Sequence, residues 1–146
     1  MLLTYSELIE LGTFEERYRY LKLGAGVSER TFGGFRYLNQ LLYKSPKWRS
    51  VRNAVLIRDG CCDLAIPGRE IDTRPIVHHL NPLSPEDLTG MSRAIFDMEN
   101  LVTVSHMTHE AIHYGDEGLL IPEPTERAPG DTCPWKTGGN RCITEE

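Results

Sequence analysis

Four of the five histidines in this chain fall into one arrangement: His78 and His79 side by side, then His109 and His113, with Asn100 between the two pairs. Twenty residues separate His79 from Asn100, eight separate Asn100 from His109, and three separate His109 from His113. Imidazole is both a common ligand for divalent metals and the side chain that titrates near neutral pH, so the cluster points to metal binding, proton transfer or both. His109 and His113 are four apart, which on a helix places them on one face at a spacing suited to chelating one ion. The same pair would also suit a solvated helix C-terminus, where the helix dipole favours positive charge. His78 and His79 are consecutive in an apolar, β-prone run, so on a strand they point to opposite sides. One can then serve a metal while its neighbour does something else.

The elements that position these residues are legible around them. Thr13 and Glu16 form a capping box, and Phe14, Tyr18 and Leu21 recur at helical spacing toward Gly24, which is expected to end that helix. Gly24, Gly26, Gly33 and Gly34 bracket a loop. Leu38, Leu41 and Leu42 predict a second helix over 35–43. Ser45-Pro46 is an N-cap and first-turn pair for a third, with Trp48, Val51 and Val55 on one face and an end near Gly60. Its basic residues flank the apolar face on both sides instead of forming one stripe. After Gly60 the period shortens. Residues 62–66 and 71–72 are predicted as short strands joined by a turn at Pro67-Gly68, and residues 74–80 as a further strand. A long connection follows, with a helical turn at 84–88. Leu101–Val104 is a β-prone run, Ser105 an N-cap, residues 106–114 a helix and Gly115 its stop. From Pro122 onward prolines, glycines and charges dominate, which predicts an irregular tail. Trp135 is expected to pack that tail onto the domain.

At 146 residues and 40% hydrophobic content, the chain suits one compact domain with appended elements. No run of about 18 apolar residues exists, so no membrane span is expected. The first residues lack a basic flank leading into an apolar stretch, so no signal peptide is expected and the cytoplasm is the default. Cys61, Cys62, Cys133 and Cys142 form no CxxC pair, and free or buried thiols are expected from them. The net charge of −5 conceals a division. Residues 30–60 carry seven Lys/Arg against Asp59, a local charge of +6, whereas residues 61–146 carry six against fifteen Asp/Glu, a local charge of −9. Local potential steers a polyanion more than net charge does, so the basic segment is a candidate docking surface for nucleic acid. Its alternative is simply a set of solvated helix faces.

The order His-His, Asn, eight residues, His, three residues, His resembles the signature of the HNH (ββα-metal, or His-Me finger) endonucleases, most of all the histidine-rich form in bacterial toxin DNases. The segments SPKWRSVRNAVLIRDG, IVHHLNPLSPEDL, DMENLVTVSHMTHEAIHYGDE and PGDTCPWK are also similar to small HNH proteins of bacteriophages and prophages. The likeness spans most of the chain, and the motif proper covers roughly residues 75–115. It implies an α+β fold in which N-terminal helices precede a ββα-metal motif with an accessory β-hairpin. The expected organisation is a helical region over 1–60, basic in its second half, the nuclease core over 61–120 and the tail over 121–146.

Carried over by position, the resemblance makes His78, His109 and His113 the ligands of one divalent ion (Mg, Mn, Ni or Zn). It makes His79 the general base and Asn100 the residue that holds the motif loop and orients that base. Two departures stand out. Many such proteins carry two CxxC pairs on a structural zinc, but the second pair's positions here are Ser105 and Thr108, so no such zinc is expected. The loop from His79 to Asn100 is also longer than in the toxin domains. The chemistry suits the residues, because a neutral imidazole accepts a proton from water at physiological pH. A three-histidine ion also keeps positions open for a phosphate oxygen and a leaving oxygen. Double-stranded DNA is the expected substrate, with Lys47, Arg49, Arg52, Arg58 and Arg74 as phosphate contacts. The family further implies a phage role in DNA packaging beside a terminase or portal protein, or as a mobile element. Two rivals stand beside this reading: a non-catalytic nucleic-acid- or protein-binding module with structural zinc, and a metallohydrolase acting on RNA or a small phosphoester.

Overall fold

The computed structural model describes residues 2–25 and 36–114. Helices α1 (Tyr5–Glu10), α2 (Phe14–Ala25), α3 (Arg36–Lys44) and α4 (Pro46–Arg58) come first. A small hairpin, β1 (Cys62–Asp63) with β2 (Arg69–Glu70), leads to strand β3 (Ile76–His79). Two short helices, α5 (Pro85–Thr89) and α6 (Arg93–Phe96), and a 3-10 turn at Met98–Asn100 then carry the chain to β4 (Leu101–Val104) and α7 (His106–Tyr114). The fold is α+β, with two separate antiparallel strand pairs. No helix among the described residues is long and apolar enough to cross a membrane.

The β3–β4 ribbon divides the interior. Its register pairs Ile76 with Val104, Val77 with Thr103, His78 with Val102 and His79 with Leu101. Side chains alternate across a strand, so Ile76 and Leu80 join Val102 and Val104 on one side. There they pack with Leu3, Leu8, Tyr18 and Leu21 of the first two helices and with Ala111 and Ile112 of α7. Val77 and Leu101 lie on the other side, against Trp48 and Val55 of α4, Leu42 of α3, Leu88 of α5 and Ile95 of α6. Each core draws residues from before and after residue 60. Full burial of each large aliphatic side chain contributes about 1.5–3 kcal/mol, and these two clusters hold the ribbon from both faces.

Local signals explain most element ends. Ser45 accepts a hydrogen bond from the Trp48 amide at 3.2 Å and Pro46 starts α4. The Thr13–Glu16 box forms in both directions, at 3.2 and 3.3 Å. Ser105 accepts from the Thr108 amide at 3.2 Å and starts α7. Several expectations need correction. Helix α2 continues through Gly24 to Ala25. Strand β3 covers four residues of the anticipated seven, because Arg74 takes a left-handed conformation (φ 48°) just before Pro75 and breaks the extended run. The hairpin closes through Arg69 and Glu70 instead of Ile71 and Asp72, since Cys62 pairs with Glu70 and Asp63 with Arg69. Helices α1 and α6 are too short to show a period, yet each has its cap, Thr4 and Ser92. The glycine-bracketed loop beyond Gly24, Gly115, Cys133, Trp135, Cys142 and the proline-rich tail lie outside the described residues, as do the side chains of Arg30 and Arg36.

Candidate metal centre and proton acceptor

The even face of β3 carries His78 toward α7. His109 and His113, one turn apart on that helix, meet it from the other side. Ring centroids lie 5.4 Å apart for His78–His109, 5.3 Å for His78–His113 and 4.3 Å for His109–His113. One nitrogen from each of the three rings falls within 4.8 Å of the others. The Nε2 atoms of His109 and His113 are 3.1 Å apart. His78 is buried, and its Nε2 has no hydrogen-bond partner. A buried polar nitrogen left unmatched costs about 1–3 kcal/mol. A divalent ion shared by the three rings would satisfy it, so the donor set fits such an ion. Proton binding is disfavoured throughout. Burial, and then the charges of His109 and His113, hold His78 well below the ordinary imidazole range. His109 is lowered to about 4 by burial, followed by the charges of His113 and His106. Burial also lowers His113. All three therefore present lone pairs at neutral pH, the form a metal requires.

His79, on the opposite face of the same strand, is in different surroundings. Its Nε2 lies 3.1 Å from the backbone carbonyl of Ile95. A carbonyl only accepts, so Nε2 carries the proton and Nδ1 of the neutral ring keeps its lone pair. The indole of Trp48 stacks on the imidazole at 5.4 Å between centroids, with 20° between planes. Burial lowers the His79 pKa, and the Ile95 hydrogen bond partly offsets it. The ring is neutral and fixed at physiological pH.

Asn100 is buried at the end of the 3-10 turn just before β4 and knots the connecting loop. Its Oδ1 accepts from the Asn81 amide at 2.9 Å and from Asn81 Nδ2 at 2.7 Å. Its Nδ2 donates to the Ala94 carbonyl at 2.9 Å, one residue before the carbonyl that holds His79. Asn81 ties in the N-terminus as well, exchanging hydrogen bonds with the backbone of Leu3 at 2.9 and 2.8 Å. The long connection is therefore a folded piece. A Ser84–Asp87 capping box starts α5, and Ser92 caps α6.

The cationic residues separate into two groups. Lys47 and Arg49 are exposed on α4, with the Lys47 ammonium 4.0 Å above the Phe96 ring. Arg52 donates to the Pro75 carbonyl at 3.0 Å, which brings α4 beside the turn that exposes Arg74. Arg58 is committed to the frame. It donates to both oxygens of Asp59 at 2.6 and 3.1 Å and to the Met98 and Leu101 carbonyls, each at 2.6 Å. It also covers the Tyr5 ring at 3.5 Å. Four of its N–H groups thus point into the protein, away from any phosphate.

Two carboxylates escaped the sequence reading. Asp59 accepts from the Thr103 amide at 2.8 Å, fastening the end of α4 to β4. Asp63 is 1% exposed and accepts from the Thr108 hydroxyl, from the Ser105 amide at 3.3 Å and from the Ala65 amide at 3.1 Å. Through Ser105 and Thr108 a hydrogen-bonded brace joins the hairpin to α7. No local signal marks the role of Asp63, because its Thr108 hydroxyl and Ser105 amide partners lie more than forty residues along the chain. Cys61 and Cys62 are free thiols, and Cys61 adopts φ 53° at the exposed turn. His106 is exposed and Glu110 half-buried on α7, 3.7 Å apart and outside the three-histidine cluster. No family model, no curated protein and no solved structure matches this chain.

Proposed function

We propose that the chain is a metal-dependent endonuclease of the HNH (ββα-metal) type that hydrolyses phosphodiester bonds in double-stranded DNA. The observation that carries the reading is the division of one strand. His78 faces two helix histidines with a buried, unmatched nitrogen, while His79 presents a fixed ring with a free Nδ1 lone pair. The order of elements, two antiparallel strands and then a helix with these residues on them, supports the reading. Three neutral imidazoles favour borderline ions such as Zn or Ni over Mn and Mg, which prefer oxygen ligands.

In the proposed reaction His79 Nδ1 accepts the proton of an attacking water, while the Ile95 carbonyl keeps Nε2–H in place and stabilises the imidazolium that forms. When bound, a divalent ion on His78, His109 and His113 supplies neutralisation of the charge that develops on the phosphate and the leaving oxygen. Asn100 holds the loop that carries the Ile95 carbonyl. Lys47, Arg49, Arg52 and Arg74 receive the phosphate backbone, and Arg58 serves the fold instead. Cleavage should leave a 5′-phosphate and a 3′-hydroxyl. A bacterial or phage-infected cytoplasm, and a terminase or portal partner for the acidic half, complete the proposal.

The test is a substrate panel: supercoiled plasmid, single-stranded DNA, RNA and a small phosphodiester. Each is incubated with EDTA-stripped protein and Mg, Mn, Ni or Zn. Metal-dependent nicking of plasmid supports the reading. Preference for RNA or the small ester moves the protein to another hydrolase class. Inertness toward every substrate, with unfolding on metal removal, moves it to a binding module with structural zinc.

A further inference from the structure

The face of the His79 ring is covered by a residue that proton transfer does not itself need. Trp48 is buried, 3% exposed, with its indole nearly parallel to the imidazole. Tyr43 meets the same indole edge-on, at 5.4 Å and 65°. Trp48 sits in the first turn of α4, where the Ser45 hydroxyl holds its amide. The indole is therefore positioned by backbone capping, by packing and by a second aromatic ring.

The Ile95 hydrogen bond fixes one atom of the imidazole, but a single point leaves the ring plane free to swing. The terminal torsion of histidine is intrinsically broad and roughly two-fold. A flat surface against the ring removes that freedom, since any turn out of plane drives the imidazole into the indole. Aromatic pairs in such offset arrangements are favoured beyond their buried area alone.

We propose that Trp48 is a positioning residue for His79: its indole fixes the imidazole plane so that Nδ1 presents its lone pair along one line. The helical arm before the ribbon thereby completes the proton-accepting half of the site. This inference rests on the assignment of His79 as base, and its test is built to separate the two.

The full chain is prepared as wild type, Trp48→Phe and Trp48→Leu. Plasmid nicking is measured with Mn, and Mn affinity and thermal unfolding are measured in parallel. The His79 Nε2 proton is followed by NMR in metal-free protein. Misplacing a reacting group by about 1 Å costs on the order of 100-fold. Trp48→Leu should therefore lose about 10- to 100-fold in kcat, with KM and Mn affinity within about twofold of wild type. It should also lose the slowly exchanging Nε2 proton signal. Trp48→Phe should recover most of the kcat and keep the signal. A wild-type kcat and signal in Trp48→Leu would overturn the proposal. If wild type itself cuts nothing, the endonuclease reading fails, and the proton signal alone decides whether Trp48 holds the ring. Should Trp48→Leu fail to unfold cooperatively, Trp48→Met, which fills volume without a flat face, takes its place.

Discussion

His78 and His79 are neighbours on one strand, yet the protein treats them in opposite ways. His78 is buried against two further histidines with a nitrogen unmatched, an arrangement unfavourable until something shares the lone pairs. His79 has one nitrogen matched by the Ile95 carbonyl and its face covered by Trp48. The first gathers donors that could hold an ion, and the second holds a single ring by one edge and one face. The two-residue period of a strand makes this possible. It sends consecutive imidazoles to opposite sides of the ribbon, so that under the proposed reading His78 can hold an ion while His79 accepts a proton.

Removing a ligand should have the largest effect. His113→Ala or His109→Ala leaves two imidazoles, and because metal charge stabilisation is worth several kcal/mol, nicking should fall by about 1000-fold or more. Isothermal titration with Zn should show the affinity falling with it. Near-wild-type affinity in His113→Ala would detach α7 from the metal side of the comparison.

On the base side, Asn100→Ala orphans the Asn81 amide and the Ala94 carbonyl and removes one of the two acceptors of Asn81 Nδ2. Each unmatched buried group costs about 1–3 kcal/mol. A loss of about 2–4 kcal/mol in urea unfolding is expected, together with a kcat deficit larger than any change in metal affinity. Asp63→Asn tests the metal side more gently. The substitution keeps the shape but weakens the acceptor for Thr108 and Ser105, and should cost about 1–3 kcal/mol. Because that brace sets the start of α7, Zn affinity should fall about tenfold, while the His79 Nε2 proton signal stays unchanged. A change confined to His79 would reverse the assignment.

The four histidines also set a pH dependence. His78, His79, His109 and His113 all titrate below their ordinary value of 6.5 in the folded protein, His109 at about 4. Below pH 6.5 the unfolded chain binds these protons first, so folding stability rises with pH across this window. The metal-free protein should hold a level Tm above about pH 7 and lose stability as the pH falls from about 6.5 to 4. Zn should be released over the same window. A level Tm down to pH 4 would show that the histidines are not buried as neutral rings.

Much of this arrangement was legible in the residues. Helical spacing placed His109 and His113 together, strand alternation separated His78 from His79, and Ser45 and Ser105 capped their helices as hydroxyls do. What escaped was non-local or unusually short. The Ile95 carbonyl has no side-chain signature, and it comes within reach of His79 only when Asn100 gathers the loop. The buried roles of Asp59 and Asp63 depend on partners more than forty residues away. Arg58 reads as a surface cation until its neighbour Asp59 and two carbonyls capture it. Trp48 reads as core, and nothing in its spacing indicates that the core it joins includes His79.

The division of labour on β3 is tested most directly by His79→Ala, with Zn or Mn affinity and plasmid nicking measured on the same preparation. Loss of a positioned general base costs about 100- to 10,000-fold in rate. The account predicts a loss in that range with metal affinity unchanged from wild type. A variant that still cuts, or one that loses its metal, would contradict it.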